Sequence, residues 1–228
     1  MGTITAGTII DDVAVRLYDT NNVQYARSEL LSYLNEAQRQ VVTLHPSSLI
    51  VRTAVQLAAG FQQTLPAGGY LLTDVVCSMG DDGTTPGHNM RQISQKAMSR
   101  VNDDWAVAAQ VEEPTEWWAD PQEPAAFWVN PPADGNGYLL IMYAKTPTVI
   151  SSEATAIEVS DQYESALKEF MLARAANKKA DYAAGPDIAA MHMTTFKDEL
   201  GALVQGQTLH APAVNMFQRR PDVQGSNQ

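Results

Sequence analysis

Cysteine is almost missing from this chain. Cys77 is the only one among 228 residues, so no intramolecular disulfide can form, and a reducing compartment is the simpler expectation. No stretch of about 18 apolar residues occurs, so no transmembrane helix is expected. The first residues lack the basic-then-apolar layout of a secretory signal, and none is expected. Basic residues are scarce as well. Fifteen Lys and Arg stand against 26 Asp and Glu, a formal net charge of −11. That balance argues against wrapping nucleic acid on a broad basic face. An acidic wall repels a duplex, which suits a passage better than a binding site.

Motifs that carry chemistry are missing too. The four histidines, His45, His88, His192 and His210, have no metal-ligand spacing to one another or to Cys77. His-Glu-x-x-His and Cys-x-x-Cys do not occur. Neither a metal nor a cofactor is expected. His192 follows Ala189 by three positions, beside an apolar stripe, and reads as a satisfied, partly buried histidine. Gly80, Gly83 and Gly87 form no dinucleotide fingerprint and precede no Gly-Lys-Ser/Thr, so they read as a loop at a hairpin tip. No Gly-x-Ser-x-Gly elbow is present. Cys77 sits in a predicted strand as a small buried hydrophobe.

What is present reads as a globular chain, 45% hydrophobic and 18% charged, long enough for one large domain or two small ones. The clearest element is Ser28 to Pro46. Leu30, Leu34, Ala37, Val41 and Leu44 recur at helical spacing, with Leu31 and Val42 widening the stripe and Glu29, Asn35, Glu36, Arg39 and Gln40 opposite. Pro46 stops the helix and pushes His45 out of the helical region. An earlier helix is expected over 8–19, with Thr8 as its N-cap, Asp11 three residues on, and Ile10, Val13, Ala14 and Leu17 on its apolar face. Asp19-Thr-Asn-Asn22 is the turn between the two.

The pattern changes after Pro46. Leu49–Leu57 and Phe61–Leu65 flank Ala58-Ala-Gly60 and predict a β-hairpin. Further strands are expected over 70–79, 91–93, 127–129, 138–143 and 157–159, with a short helix over 94–101. Helical spacing then resumes. Ser160 or Asp161 caps a helix to about Ala183, with Tyr163, Ala166, Leu167, Phe170 and Ala173 inward. Gly185 breaks it, and Pro186 opens another helix, carrying Ala189, Met193, Phe196, Leu200 and Leu203. The predicted fold is α+β. Residues 1–46 and 160–204 make a four-helix core, 47–159 an inserted β-rich module, and 205–228 an extended polar tail. There is no internal repeat and no low-complexity block.

Charge is uneven along the chain. Arg219, Arg220 and Asp222 are the charged residues after Gly201, which leaves 13 basic against 25 acidic residues in positions 1–200. Asp103, Asp104, Glu112, Glu113, Glu116, Asp120 and Glu123 lie in a stretch with no Lys or Arg. Trp117, Trp118 and Trp128 stand among them. Carboxylates beside aromatics would suit sugar binding or hydrolysis, and a tail-associated carbohydrate-binding or hydrolytic protein using Glu112–Trp128 is the rival reading. A solvated acidic face with packed tryptophans is the ordinary one. No calcium-loop spacing appears.

Several stretches together resemble one family: Tyr25 through Pro46, Leu65-Pro66, Asp74-Val-Val-Cys-Ser-Met-Gly80, Gly83-Thr-Thr-Pro-Gly87, Asp104-Trp105, Phe127-Trp-Val-Asn-Pro-Pro132, Tyr143-Ala-Lys-Thr-Pro147 and Tyr163-Glu-Ser-Ala-Leu167. Their order and spacing are similar to the head-to-tail adaptors of short-tailed bacteriophages, the group that includes tail tubular protein A. The resemblance runs from about Thr8 to Leu203. It implies a non-enzymatic structural protein of the virion neck, assembled in the host cytoplasm as a ring, usually of twelve copies. The ring would sit under the portal, carry the lower tail or nozzle protein, and surround DNA passing without sequence-specific binding. Glu112, Glu113 and Glu116 would then line the channel. Leu209, Val214, Met216 and Phe217 would anchor the tail on the portal, with a neighbouring subunit as second choice, and Arg219 and Arg220 would pair with acids there. One position departs from the family's pattern. Ala26 stands where Ser or Thr would box with Glu29, so the helix either starts at Ser28 or has an uncapped end costing about 1 kcal/mol.

Overall fold

The computed structural model describes residues 2–101, 104–178 and 185–210. Helix α1 spans Ala6–Arg16. Its N-cap is Thr5, whose hydroxyl accepts the Thr8 N–H at 3.3 Å. The cap expected at Thr8 is therefore three residues earlier, and Thr8 is its donor. Backbone bonds from Ala6 to Thr155 and from Gly7 to Glu153, each 2.9 Å, fix this first turn from outside the helix. The C-terminal end also comes early, at Leu17 rather than residue 19. Helix α2 spans Arg27–Leu44 with Ala26 at the N-cap and no side-chain cap, which decides between the two starts left open. His45 has φ −137° and ψ 79°, outside the helical region as a residue before proline should be. Leu30, Leu34, Ala37, Val41 and Val42 are buried, whereas Leu44 is exposed.

Among the described residues, seven strands form two sheets. They are β1 (Ile50–Gln56), β2 (Gly60–Thr64), β3 (Gly69–Ser78), β4 (Arg91–Gln92), β5 (Glu116–Trp118), β6 (Ala126–Ala133) and β7 (Tyr138–Lys145). One sheet has the order β1-β7-β3 and the other β2-β6-β5-β4. The expected hairpin of 49–57 with 61–65 is corrected. β1 pairs with β7 and β2 with β6, so the short link carries the chain from one sheet to the other. Gly60 at φ 112° gives the backbone turn that this step needs. The Gln63 side chain holds it, accepting from Ala58 N–H at 2.7 Å and donating to the Ala58 and Gly60 carbonyls. Val75, Leu139, Ile141 and Tyr143 of one sheet meet Trp117, Phe127 and Val129 of the other in a shared apolar core. Helix α3 (Gln95–Val101) follows β4.

The strand expected over 157–159 does not form. Only Thr5 and Ala156 bridge there, and Ile157 and Val159 instead bury their side chains in the helical core. The helix expected from Ser160 or Asp161 opens as a 3-10 turn, Asp161–Tyr163, and continues as α4 (Glu164–Lys178). Helix α4 packs against α1, α2 and α5. Ile9, Ile10, Leu34, Leu167, Phe170 and Phe196 are among the fully or nearly fully buried residues there. Helix α5 spans Gly185–His210. Residues 205–210, expected to begin the tail, are thus helical. The stretch has Leu and Gln as good helix formers and meets its first proline only at Pro212. The tail residues 211–228 lie outside the described residues. No helix of the described residues is long and apolar enough to cross a membrane.

Candidate functional site

Part of the acid–tryptophan stretch is a strand: Glu116–Trp118 is β5, paired on both edges. Register then decides what each acid meets. Glu116 lies opposite Arg91 of β4 and Asn130 of β6. It forms an ion pair with Arg91 and accepts from Asn130 Nδ2 at 2.8 Å, and its side chain is only 13% exposed. Glu113 approaches His88 Nδ1 at 3.3 Å. Glu112 faces solvent. Its carbonyl presses on Gly137, where an added Cβ would come within 1.9 Å of it. Among the three acids, Glu112 is thus the exposed one, with neither Arg91 nor His88 at its carboxylate.

Strand alternation sorts the tryptophans. Trp117 points into the core between the sheets and Trp118 to the opposite face, and each is 3% exposed. Trp118 stacks on Trp128 with centroids 6.3 Å apart and meets the edge of Trp105 at 4.9 Å, which in turn meets Phe61 at 5.3 Å. These rings are filled by one another, so a sugar ring has no open face on Trp117 or Trp118. Ser78, His88 and Glu113 lie together, yet they do not form an acyl-transfer triad. Ser78 Oγ and Glu113 both approach His88 Nδ1, at 3.2 and 3.3 Å, and Nε2 is bonded to the Pro114 carbonyl at 2.8 Å. A triad base needs one nitrogen for the nucleophile and the other for the acid.

His45 and His192 are structural in their contacts. His45 is buried, with Nδ1 2.7 Å from the Tyr163 hydroxyl and Nε2 2.6 Å from Ser47 Oγ. Burial lowers its pKa below the ordinary 6.5. His192 Nδ1 lies 2.7 Å from Glu169 Oε2, while Arg16 holds the other carboxylate oxygen at 3.0 Å. This ties α1, α4 and α5 together. Among the described residues no group of three or more His, Cys, Asp and Glu could hold a metal ion. Cys77 is buried and free. Of the tail residues expected to bind a partner, Leu209 falls in α5 with its side chain undescribed, and Val214, Met216, Phe217, Arg219 and Arg220 lie outside the described residues.

Sequence patterns missed the surface at the α1–α2 turn. The turn cluster was legible, but not what it presents. Asp19 folds its carboxylate back to accept the N–H groups of Val23, Gln24 and Tyr25 at 2.8–2.9 Å. Arg27 braces the same turn against Glu153, Asp11 and Asn22. Both carboxylates raise the Arg27 pKa, Glu153 most strongly. Tyr18 and Val23 are left outside, 98% and 87% exposed.

Residues 4–216 match the family model described as SU10 adaptor protein. No curated protein matches the chain.

Proposed function

The chain belongs to the SU10 adaptor protein family, and from that premise we propose that it builds a ring joining the portal of a phage head to the tail. It is a bacteriophage adaptor and a structural protein of the virion neck. The carrying observation is the span of the match. Residues 4–216 take in every helix and both sheets, so the likeness concerns the whole folded body rather than one module. The proposed ring has twelve copies, meets the portal above and the lower tail or nozzle protein below, and assembles in the host cytoplasm. DNA passes through it without base-specific contact. The acidic body supports a passage of this kind, since like charge keeps a duplex from adhering to the wall. Glu112, Glu113 and Glu116 are the proposed channel acids. Glu112 contributes most, because Arg91 neutralises Glu116.

In this reading catalysis plays no part, and function is attachment. The tail supplies the grip on the portal. Met216 and Phe217 insert between portal subunits, with Leu209 and Val214 beside them, and Arg219 and Arg220 pair with portal carboxylates. Ordering such a segment costs entropy, so a few buried anchors carry the affinity. The test is truncation of residues 211–228, which leaves α5 whole. The shortened protein should keep the wild-type circular dichroism and melting temperature yet fail to remain on purified portal rings. Unchanged portal affinity would refute the role given to the tail. Particle averaging of the wild-type protein on those rings should show a closed ring and its symmetry.

A further inference from the structure

Strand β1 is left with a bare edge. It pairs with β7 without interruption, from Ile50 opposite Ala144 to Gln56 opposite Tyr138. The Leu57 N–H continues the ladder onto the Gly137 carbonyl at 3.0 Å. Bonded residues alternate along an antiparallel pair. Val51, Thr53 and Val55 therefore turn their backbone groups to β7, and Ile50, Arg52, Ala54 and Gln56 turn theirs outward. Those four have no backbone partner there among the described residues. Folded proteins blunt such edges with short strands, bulges, prolines or clustered charge. Strand β1 has seven residues, no register shift and no proline, and Arg52 is its one charge. The opposite edge of the same sheet is covered. There β3 is closed off by the bridge from Cys77 to Asn89 and by backbone bonds with Gly87, His88 and Pro124.

The core thins on the same side. Val51, Thr53 and Val55 lie opposite Tyr143, Ile141 and Leu139. Leu139 and Ile141 are completely buried, whereas Val51 and Val55 are only half-buried. One more strand with apolar residues at alternate positions would finish their burial. On the other face Ala54, Leu140 and Met142 are half-buried as well. The chain holds a segment of that description. Between Pro212 and Pro221 runs Ala-Val-Asn-Met-Phe-Gln-Arg-Arg, with Val214 and Met216 two apart and Phe217 alternating with them. Prolines suit the ends of an edge strand. The segment also starts from the right place. The Tyr163 hydroxyl meets His45 Nδ1 at 2.7 Å, just before the 3-10 turn Pro46–Leu49 that leads into β1. Two residues on, Ser165 Oγ donates to Glu199 of α5 at 2.9 Å. Helix α5 then runs on to His210. The tail thus leaves α5 at the end of the bundle where the chain enters the β module.

We propose that, before the portal is met, residues 213–220 add to the outer edge of β1 in their own copy as a further strand of that sheet. Main-chain bonds go to Ile50, Arg52, Ala54 and Gln56. Val214 and Met216 lie beside Val51 and Val55, and Phe217 lies on the opposite face beside Ala54. Strand addition of this kind draws affinity from the backbone and specificity from alternate side chains. A tail joined to the same chain meets β1 at high effective concentration, which favours it over the tail of another copy. The contact covers an edge that would otherwise template pairing between copies, together with apolar anchors that have not yet found their partner. The pairing stands apart from the ring reading. What rests on that reading is the next step, in which the portal takes Met216 and Phe217 away from β1.

The experiment compares full-length wild type, Ala54→Pro and Met216→Pro. Proline at 54 removes an outward N–H and leaves the β7 ladder whole. Proline at 216 interrupts the added strand from the tail side, outside the folded body. The readouts are trypsin cleavage after Arg219, located by mass spectrometry, hydrogen exchange over residues 50–56, and mass photometry. Both variants should be cut about tenfold faster than wild type, and Met216→Pro should exchange the β1 amides faster by a similar factor. Equal cutting and equal exchange in all three proteins overturn the inference. Protection that fades on dilution would give β1 to the tail of another copy and overturn it too. So would a wild-type dimer that Ala54→Pro splits while the tail is cut at an unchanged rate, because two β1 edges would then be paired. Ala54→Pro should also load onto purified portal rings several-fold faster, and no gain overturns the hand-over. A truncation of 211–228 that leaves portal affinity unchanged refutes the portal role of the tail without touching the protease and exchange results, so the two readings fail separately.

Discussion

His45 is held neutral by its surroundings. Burial opposes the charged form, and Tyr163 and Ser47 engage both ring nitrogens. Its folded pKa therefore lies below the unfolded 6.5. The unfolded chain binds the proton first, so this contribution to stability is complete above pH 6.5 or so and is lost as the pH falls through the lowered folded value. Wild type should melt at a lower temperature at pH 5.5 than at pH 7.5. In His45→Gln that difference should shrink, although the variant gives up about 1 kcal/mol of hydrogen bonding at both. Calorimetry of the two proteins at the two pH values checks it. Glu29, held low by Lys178 and Tyr33, and Glu153, held low by Arg27, act in a separate window. Their stabilisation is present above the ordinary carboxylate value of 4.5 and is lost below it. Gly137 is the second residue with a sharp consequence. A methyl group there would meet the Glu112 carbonyl within bonding distance. Gly137→Ala must push the acidic stretch off the start of β7 and should cost about 2 kcal/mol or more in urea unfolding.

At the level of elements, α2 has an unexploited start. Ala26 sits at the N-cap with φ −59° and ψ 142°, is exposed, and caps nothing with its side chain. Glu29 is three residues on, at the position a capping box uses. Ala26→Ser should stabilise by about 1 kcal/mol. For a chain of this size that raises the melting temperature by roughly 2–4 °C. No gain would mean that Glu29 is too firmly held by Tyr33 and Lys178, at 2.7 and 2.6 Å, to turn back to the cap. Helix α5 shows the opposite condition. Ser165 of α4 meets Glu199 of α5 at 2.9 Å. The two helices run antiparallel, and Leu203 still packs on the helical core, so the last seven residues of α5 continue for about 10 Å beyond that contact at 1.5 Å per residue.

The whole molecule is governed by its charge and by two separate apolar clusters, one helical and one between the sheets. In the proposed ring, copies carrying −11 each would repel strongly at low salt. Screening shortens the reach of exposed charge to about 10 Å at 0.1 M. Ring formation should therefore need less protein as salt rises from about 0.02 M to about 0.3 M. Mass photometry across a salt series checks this. Rings that fall apart with added salt would indicate ion pairs at the subunit contact.

The helices were legible in the sequence because their signals are local. Stripes such as Leu30, Leu34, Ala37 and Val41 name a buried face by themselves, and Pro46 ends α2 by sterics alone. The α+β class followed from those stripes and the β-branched run at Leu49–Leu57. The adaptor resemblance rests instead on the order and spacing of particular stretches along the chain, such as Asp74–Gly80 and Phe127–Pro132. Strand pairing was not local. Nothing at Ala58-Ala-Gly60 tells a hairpin from a step between sheets, because the partners, β7 and β6, lie more than sixty positions away. Ile157 and Val159 have strand-forming side chains, but the helical core buries them, and the single bridge beside them, Thr5 to Ala156, does not grow into a ladder. Tertiary structure also decided which acids keep their charge in solvent. Glu112, Glu113 and Glu116 look alike in sequence, and only strand register sets Glu116 against Arg91 and Asn130. Tyr18 belongs to the same class. Its sequence neighbours announce a turn, but strain combined with full exposure is a property of the folded backbone and of the surface it leaves uncovered.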